Sequence, residues 1–367
     1  MAEPLPHVQK IPGLNELRAI AATVVLIGHT YEIAGHYGVE WARNIYGTYL
    51  FGDDMVNLFF VISGFIISLL LMKEKEHATI NIGKFYFKRL LRIWPLYFGV
   101  LFLVIGLEMT TSFFDSYNKL NGQSIAAVSL FLVNFNDFFK LPLSVIHHYW
   151  SLSVEEQFYL FWPFLVRFLK VEWFAISCLF IIGILVFSRN LCSLLSSVDG
   201  DFFGLCNNVL YQTRFSVMAI GGLGAIVYLY YQSYIAFILS NKLLRRIFLA
   251  LFAATFFFKV YIPYINFELK GFLYIIVILI LSTEQNVKMH WWRKVLDHLG
   301  KISFGLYIYH YPIIPILLYC ALKFKIFNIL CSLYLLPLVV VSFLVTYFIS
   351  YISFYYYESF FLKYKPK

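Results

Sequence analysis

The chain has 367 residues, of which 61% are hydrophobic and only 13% are charged, where a soluble domain carries about 25% charged residues. So few charges cannot cover 40 Phe and 28 Tyr in water, which excludes soluble, disordered, coiled-coil, zinc-finger and small disulfide-scaffold proteins. The formal charge of +9 lies between apolar runs, so it reports membrane topology rather than a nucleic-acid surface. The expected fold is all-α: a single polytopic membrane bundle over residues 1–367.

The N-terminus, MAEPLPHVQKIPGLNELRAIAA, has no basic leader and no small-residue cleavage site before the first apolar run. That run is expected to stay in the mature protein. A crossing helix needs about 20 residues. Ten runs reach that scale: 17–35, 50–72, 91–108, 152–168, 172–188, 213–232, 243–262, 268–283, 302–320 and 329–352. They are continuous rather than alternating, which argues against a barrel.

The first span reads LNELRAIAATVVLIGHTYEIAG. His29 follows Arg18 by eleven residues, which puts it about 16 Å further along and about 20° past three full turns. Both side chains therefore share a face, and polar groups in the hydrocarbon usually face the bundle interior. One reading is a general base with a cation below it for an anionic partner. The other is a packing histidine and an interfacial arginine. The second span opens with Asp53 and Asp54 and holds a small pair, Ser63–Gly64, that permits close helix approach. The aspartates read as end caps or as partners for a nearby histidine.

In FKRLLRIWPLY, Arg89 and Arg92 are three apart and share a face. Their forks suit phosphates of a CoA-like donor, or they are plain cytoplasmic charge. A shorter run, 124–139, is interrupted by Asn134, Asn136 and Asp137. The richest polar stretch, IHHYWSLSVEEQFYLFWPFL, holds His147, His148, Ser151, Ser153, Glu155, Glu156 and Gln157, with Ser151 and Glu155 on one face. The 302–320 span carries His310 beside Pro312. Cys178, Cys320 and Cys331 lie in apolar runs and read as small buried residues. Cys192 and Cys206 flank the polar stretch Ser193–Asp201 and would pair only if it faced an oxidising compartment. No cysteine or histidine set has metal spacing, so no metal is expected.

Placing the basic segment 73–92 inside assigns 20 of the 29 lysines and arginines to the cytoplasmic side of a ten-span chain. The remaining nine are Arg43, Lys119, Lys140, Arg189, Arg214, Lys259, Lys270, Lys323 and Lys325. Counting 124–139 as a crossing would destroy that bias. The expectation is therefore ten spans in a bacterial inner membrane, both ends cytoplasmic, with 124–139 re-entrant or interfacial.

Five stretches carry a resemblance. LNELRAIAATVVLIGH at 14–29, NLFFVISGFIISLLL at 57–71, FYFKRLLRIWPLY at 85–97, HYWSLSVEEQFYLFWP at 148–163 and ISFGLYIYHYPI at 302–313 resemble, in order and over about 300 residues, the membrane-bound acyltransferase-3 family. That resemblance implies transfer of an acyl group, usually acetyl, from cytoplasmic acetyl-CoA or another acyl-CoA to a hydroxyl of a surface or lipid-linked glycan such as lipopolysaccharide O-antigen. It marks Arg18 and His29, the pair Arg89 and Arg92, and the Ser151–Glu155 element as site residues. One motif departs: the family commonly has Gly-Val-Asp where this chain has Met55-Val56-Asn57, which leaves the acid of this helix unassigned.

The expected chemistry has His29 as base, Glu155 balancing its imidazolium, Arg18 holding donor phosphate or polarising the carbonyl, and Arg89 and Arg92 binding the donor. Expected partners are acyl-CoA, a glycan acceptor and membrane lipid, with no bound cofactor and no nucleic acid. The sequence leaves open the oligomeric state and the choice between direct and acyl-enzyme transfer. The alternative class is a transporter or flippase of a glycolipid or acyl donor. Its marks would be paired broken helices or repeated in-span acids, and these spans hold few deep acids.

Overall fold

A computed structural model describes residues 11–42, 52–255, 258, 261–282 and 290–366. Segments 1–10, 43–51, 256–257, 259–260 and 283–289 lie outside the described residues. They include Lys10, Arg43 and Lys259, the start of the 50–72 run, four residues of the 243–262 run and most of the 284–290 connection.

The described residues form helices and connections with no strands. In chain order they are α1 (Leu14–His36), α2 (Gly52–His77), α3 (Ile82–Thr110), α4 (Gly122–Ser129), α5 (Trp150–Phe168), α6 (Val171–Leu195), α7 (Gly200–Gln212), α8 (Phe215–Tyr230), α9 (Lys242–Ala254), α10 (Asn266–Ser282), α11 (Trp291–Lys301), α12 (Ser303–Lys323) and α13 (Leu336–Ile352). Shorter turns fill several gaps, and a π-helical turn, Ser353–Glu358, follows α13.

Each of the ten expected runs falls on a helix, and among the described residues seven segments are long and apolar enough to cross: α1, α2, α3, α6, α7 with α8, α12, and α13 with its C-terminal extension. The other three have physical reasons. At 1.5 Å per residue, α9 spans about 20 Å, short of a hydrocarbon core of about 30 Å. α10 stops at 17 residues. α5 is 19 residues long but carries Glu155, Glu156 and Arg167. The 124–139 segment contains no crossing helix. It is α4, a 3-10 turn at Val133–Phe135 and a four-residue helix at Asn136–Phe139. Its interrupting Asn134 is buried and exchanges hydrogen bonds with Gln157 of α5 at 3.2 and 2.8 Å.

α2 is the central strut, with α1, α5, α8 and α10 packed around it. The α2–α8 crossing is closest because glycines face backbone: Gly64 meets the Met218 carbonyl, and Gly221 meets the Val61 carbonyl. A Cβ at either glycine would collide with main chain, so the expected close approach at Ser63–Gly64 is realised. The outside of the bundle is apolar. On α6 only Phe174, Cys178 and Arg189 are buried, and Phe180 and Phe187 are 68% and 62% exposed. In water such a surface would aggregate; against lipid tails it is the expected facing. α11 differs, lying beside α1 with both tryptophans exposed, and Asn15 Nδ2 donates to Asp297 at 2.8 Å. Exposed tryptophan beside charge is the composition of a membrane–water interface. Cys192 and Cys206 are both free thiols.

Candidate active site

Five of the six expected site residues converge on one cavity. Arg18 of α1, Arg89 and Arg92 of α3, and Ser151 and Glu155 of α5 all line a space of about 160 Å³. Helical spacing explains each placement. Arg89 and Arg92 are one turn apart on α3, as are Ser151 and Glu155 on α5, so each pair presents one face. Glu156, about 100° further round α5, does not line the cavity and takes the Trp94 indole N–H at 3.3 Å instead.

The cavity's only carboxylate among its described lining residues is Glu155. Ser63 Oγ donates to its Oε1 at 2.8 Å and the Tyr159 hydroxyl to its Oε2 at 3.0 Å. Arg89 lies over the Tyr159 ring at 5.6 Å. Arg18 Nε donates to Ser303 Oγ at 3.2 Å. Three guanidiniums facing one carboxylate leave the cavity positive, which suits a polyanion. The partly buried Lys365, near enough to feel the charges of Arg92 and Arg89, adds a further cation. Burial, together with Arg92, Arg89 and Lys88, pushes its ammonium down to about 8.

Ser151 and Tyr307 form the inner wall. Their hydroxyls are 2.5 Å apart, so one donates to the other, and the His148 carbonyl, 3.3 Å from Ser151 Oγ and 3.1 Å from the Tyr307 hydroxyl, accepts the proton that remains. Behind Tyr307 stands a cluster the sequence did not assemble. His29 does not line the arginine cavity. It stacks on His310 with centroids 5.0 Å apart, and His148 lies 5.3 Å from His310. His147, its sequence neighbour, points outward and is exposed.

Hydrogen-bond partners fix the tautomers in this cluster. His310 Nδ1 is 3.1 Å from the Leu306 carbonyl, which can only accept, so Nδ1 carries the proton. The neutral His310 ring then accepts at Nε2. His29 Nδ1, 2.7 Å away, must donate to it. That leaves the lone pair of His29 on Nε2. By the same logic His148 donates from Nε2 to the Ile308 carbonyl at 3.2 Å, and its Nδ1 is buried without a partner.

One expected contact is corrected here. Glu155 is not the acid beside His29, because its oxygens serve Ser63 and Tyr159 in the arginine cavity. The carboxylate near His29 Nε2 is Glu32, at 3.7 Å. Glu32 is three residues along α1, a signal the sequence offered. Ser303, Tyr307 and His310 follow one another at helical spacing on α12 and were findable the same way. Asp54, left open by the sequence, is not in the cavity either. Its carboxylate binds Lys270 Nζ at 2.9 and 2.7 Å, a pairing across 216 residues.

Comparison with known proteins places the chain among acyltransferases. Two Staphylococcus aureus proteins named O-acetyltransferase OatA, from strains NCTC 8325 and COL, are each 28% identical over 336 residues, covering 83% of this chain and 50% of theirs. A third, the provisionally named O-acetyltransferase SACOL0978 of strain COL, is 28% identical over 335 residues, with the same coverage. The chain thus spans about half the length of the curated relatives it matches. No solved structure matches it. The acyltransferase domain that defines the acyltransferase-3 family matches residues 11–355, which takes in all the cavity-lining and histidine-cluster residues, and the chain belongs to that family.

Proposed function

We propose that this chain is an inner-membrane O-acyltransferase that moves an acetyl group from cytoplasmic acetyl-CoA to a hydroxyl of a surface or lipid-linked glycan, lipopolysaccharide O-antigen being one such acceptor. The observation that carries the reading is the tautomer chain Leu306–His310–His29, which leaves His29 Nε2 as a proton acceptor with Glu32 beside it. Membership in an acyltransferase family favours group transfer over the transporter or flippase alternative.

In the proposed reaction the donor's phosphates sit against Arg89, Arg92 and Arg18, and its thioester end extends past Ser151 and Tyr307. His29 Nε2 takes the proton of the acceptor hydroxyl as the oxygen attacks the thioester carbonyl carbon. Glu32 steadies the imidazolium. When the tetrahedral intermediate collapses, the C–S bond breaks and the same proton passes to the departing CoA thiolate. The products are the glycan ester and free CoA. Ser151 supports direct transfer over a seryl intermediate: its described partners are a tyrosine hydroxyl and a backbone carbonyl, and a serine nucleophile needs a base within reach.

Both ends being cytoplasmic needs an even number of crossings, and the charge distribution favours the ten-span arrangement, in which the runs of α5, α9 and α10 cross as well. Three of the nine residues that oppose the bias, Arg189, Arg214 and Lys270, are buried. They bind Glu268, Asn57 and Asp54, so they serve packing rather than topology.

The test is thiol release from acetyl-CoA by the purified chain in detergent, with and without extracted surface glycan. Glycan-dependent release with ester appearing on the glycan is the expected result. No release with any glycan, from protein that still binds acetyl-CoA, would overturn the reading.

A further inference from the structure

A second cavity, of about 260 Å³, lies between α6, α7 and the entry to α10. It sits at the opposite end of the bundle from the arginines. Its lining residue Tyr211 reaches Asp53 at the start of α2, whereas the basic loop leaves the other end of α2 near Lys75, about 33 Å away at 1.5 Å per residue.

The lining is aromatic and amide-rich. Tyr261 and Tyr264 expose 62% and 67% of their surface. Asn207 turns a buried Oδ1 with no hydrogen-bond partner among the described residues. The floor is Arg189, whose guanidinium is bound by Glu268 at 2.9 Å and by the Tyr264 carbonyl at 3.1 Å. Asn190 Nδ2 donates to the same carbonyl at 3.3 Å. These bonds hold Tyr264 at φ +73°, a conformation a bulky residue adopts only when its surroundings impose it. The backbone that carries the exposed ring is thereby fixed in place.

We infer that this cavity is the acceptor subsite and takes a neutral sugar unit of the glycan. The inference rests on the glycan reading above. A sugar ring has an apolar C–H face and an edge of hydroxyls, and exposed tyrosine faces beside amides meet both. Among the described lining residues the one cation is Arg189, already matched by Glu268, so this lining favours a neutral ring over a phosphate or a uronate. A neighbouring groove shares Asn190, Ser193 and Tyr264 with the cavity, so the site is elongated and has room for more than one sugar. It also adjoins the reaction centre. Tyr211 and Phe267 of its wall lie against the Arg214 guanidinium at 4.6 and 3.4 Å, and Arg214 lies 5.8 Å from the ring of Trp150, the residue before Ser151.

The experiment uses the purified full chain in detergent, with Tyr261→Ala, Tyr261→Phe and Asn207→Ala. Saturation-transfer NMR with maltose and chitobiose as neutral probes reads binding without turnover. Acceptor and donor KM are measured in parallel with extracted glycan. Tyr261→Ala and Asn207→Ala should each raise acceptor KM about tenfold, the loss of one stacking or hydrogen-bonding contact, with donor KM unchanged. Tyr261→Phe should behave as wild type. If no glycan is acylated but the probes bind and Tyr261→Ala abolishes their signal, the sugar site stands and the transfer reading falls. If acylation proceeds and both alanine variants keep wild-type acceptor KM and probe signals, the subsite is overturned.

Discussion

At the Asp54 end of α2 two buried cations are paired with acids, Lys270 with Asp54 at 2.7 Å and Arg189 with Glu268 at 2.9 Å, and the third, Arg214, donates to the Asn57 amide oxygen among aromatic rings with the Asp53 charge nearby. At the other end, Arg18, Arg89 and Arg92 surround a cavity with Glu155 as the only carboxylate among its described lining residues. Both ends take charge out of water, at similar cost. The first spends its charges on one another and leaves little field. The second keeps a positive surplus, and a surplus held around an open cavity attracts an anion that the chain itself does not supply. Matched charge here is architecture, and the unmatched charge is what the proposed reading takes as a binding site.

The comparison breaks most visibly at the matched end. Lys270→Met strands the Asp54 carboxylate and should cost about 3–5 kcal/mol, seen as a lower unfolding temperature in detergent. Adding Asp54→Leu removes the stranded charge and should recover most of that loss. If the single and double variants unfold alike, the pair is not the structural clamp described here.

A smaller effect sharpens the open end. Arg92→Lys keeps the charge but loses the fork, so the KM for acetyl-CoA should rise about tenfold with kcat little changed. Unchanged KM with reduced protein would make Arg92 a topology residue. The smallest effect is a pH dependence. Burial and neighbouring cations depress Lys365, so it is charged below about 8 and loses that charge as pH rises through it. Donor KM should therefore climb by about threefold between pH 7 and 9, the worth of one partly exposed ion contact. Lys365→Arg should flatten that climb.

Much of the donor end was legible in the sequence. Arg18, Arg89, Arg92, Ser151 and Glu155 stand at helical spacings that force each onto an inward face, and the structure brings all five to one cavity. What the sequence could not supply was pairing across distance. Lys270 reads as one more loop charge until the fold sets it on Asp54, 216 residues away. Glu155 and His29 were joined in expectation because both are polar groups in a membrane, yet they belong to opposite sides of the Ser151–Tyr307 wall. The role of His310 was equally hidden, because it depends on a backbone carbonyl one turn back and on a ring from α1. The ten-helix expectation followed apolar run length alone, whereas α9 ends at Ala254, inside its run.

The central claim is that His29 Nε2 is the base and that His310 holds it in that tautomer. It is tested most directly by His29→Gln, which keeps size and hydrogen bonding but cannot accept a proton at neutral pH. The ester content of the surface glycan is measured against the membrane abundance of the variant. The account predicts normal abundance with acylation reduced by about 10²–10⁴-fold, the usual worth of a general base. Near-wild-type acylation by His29→Gln would contradict it and pass the role to His148, whose Nδ1 lone pair is the other one left bare in the cluster.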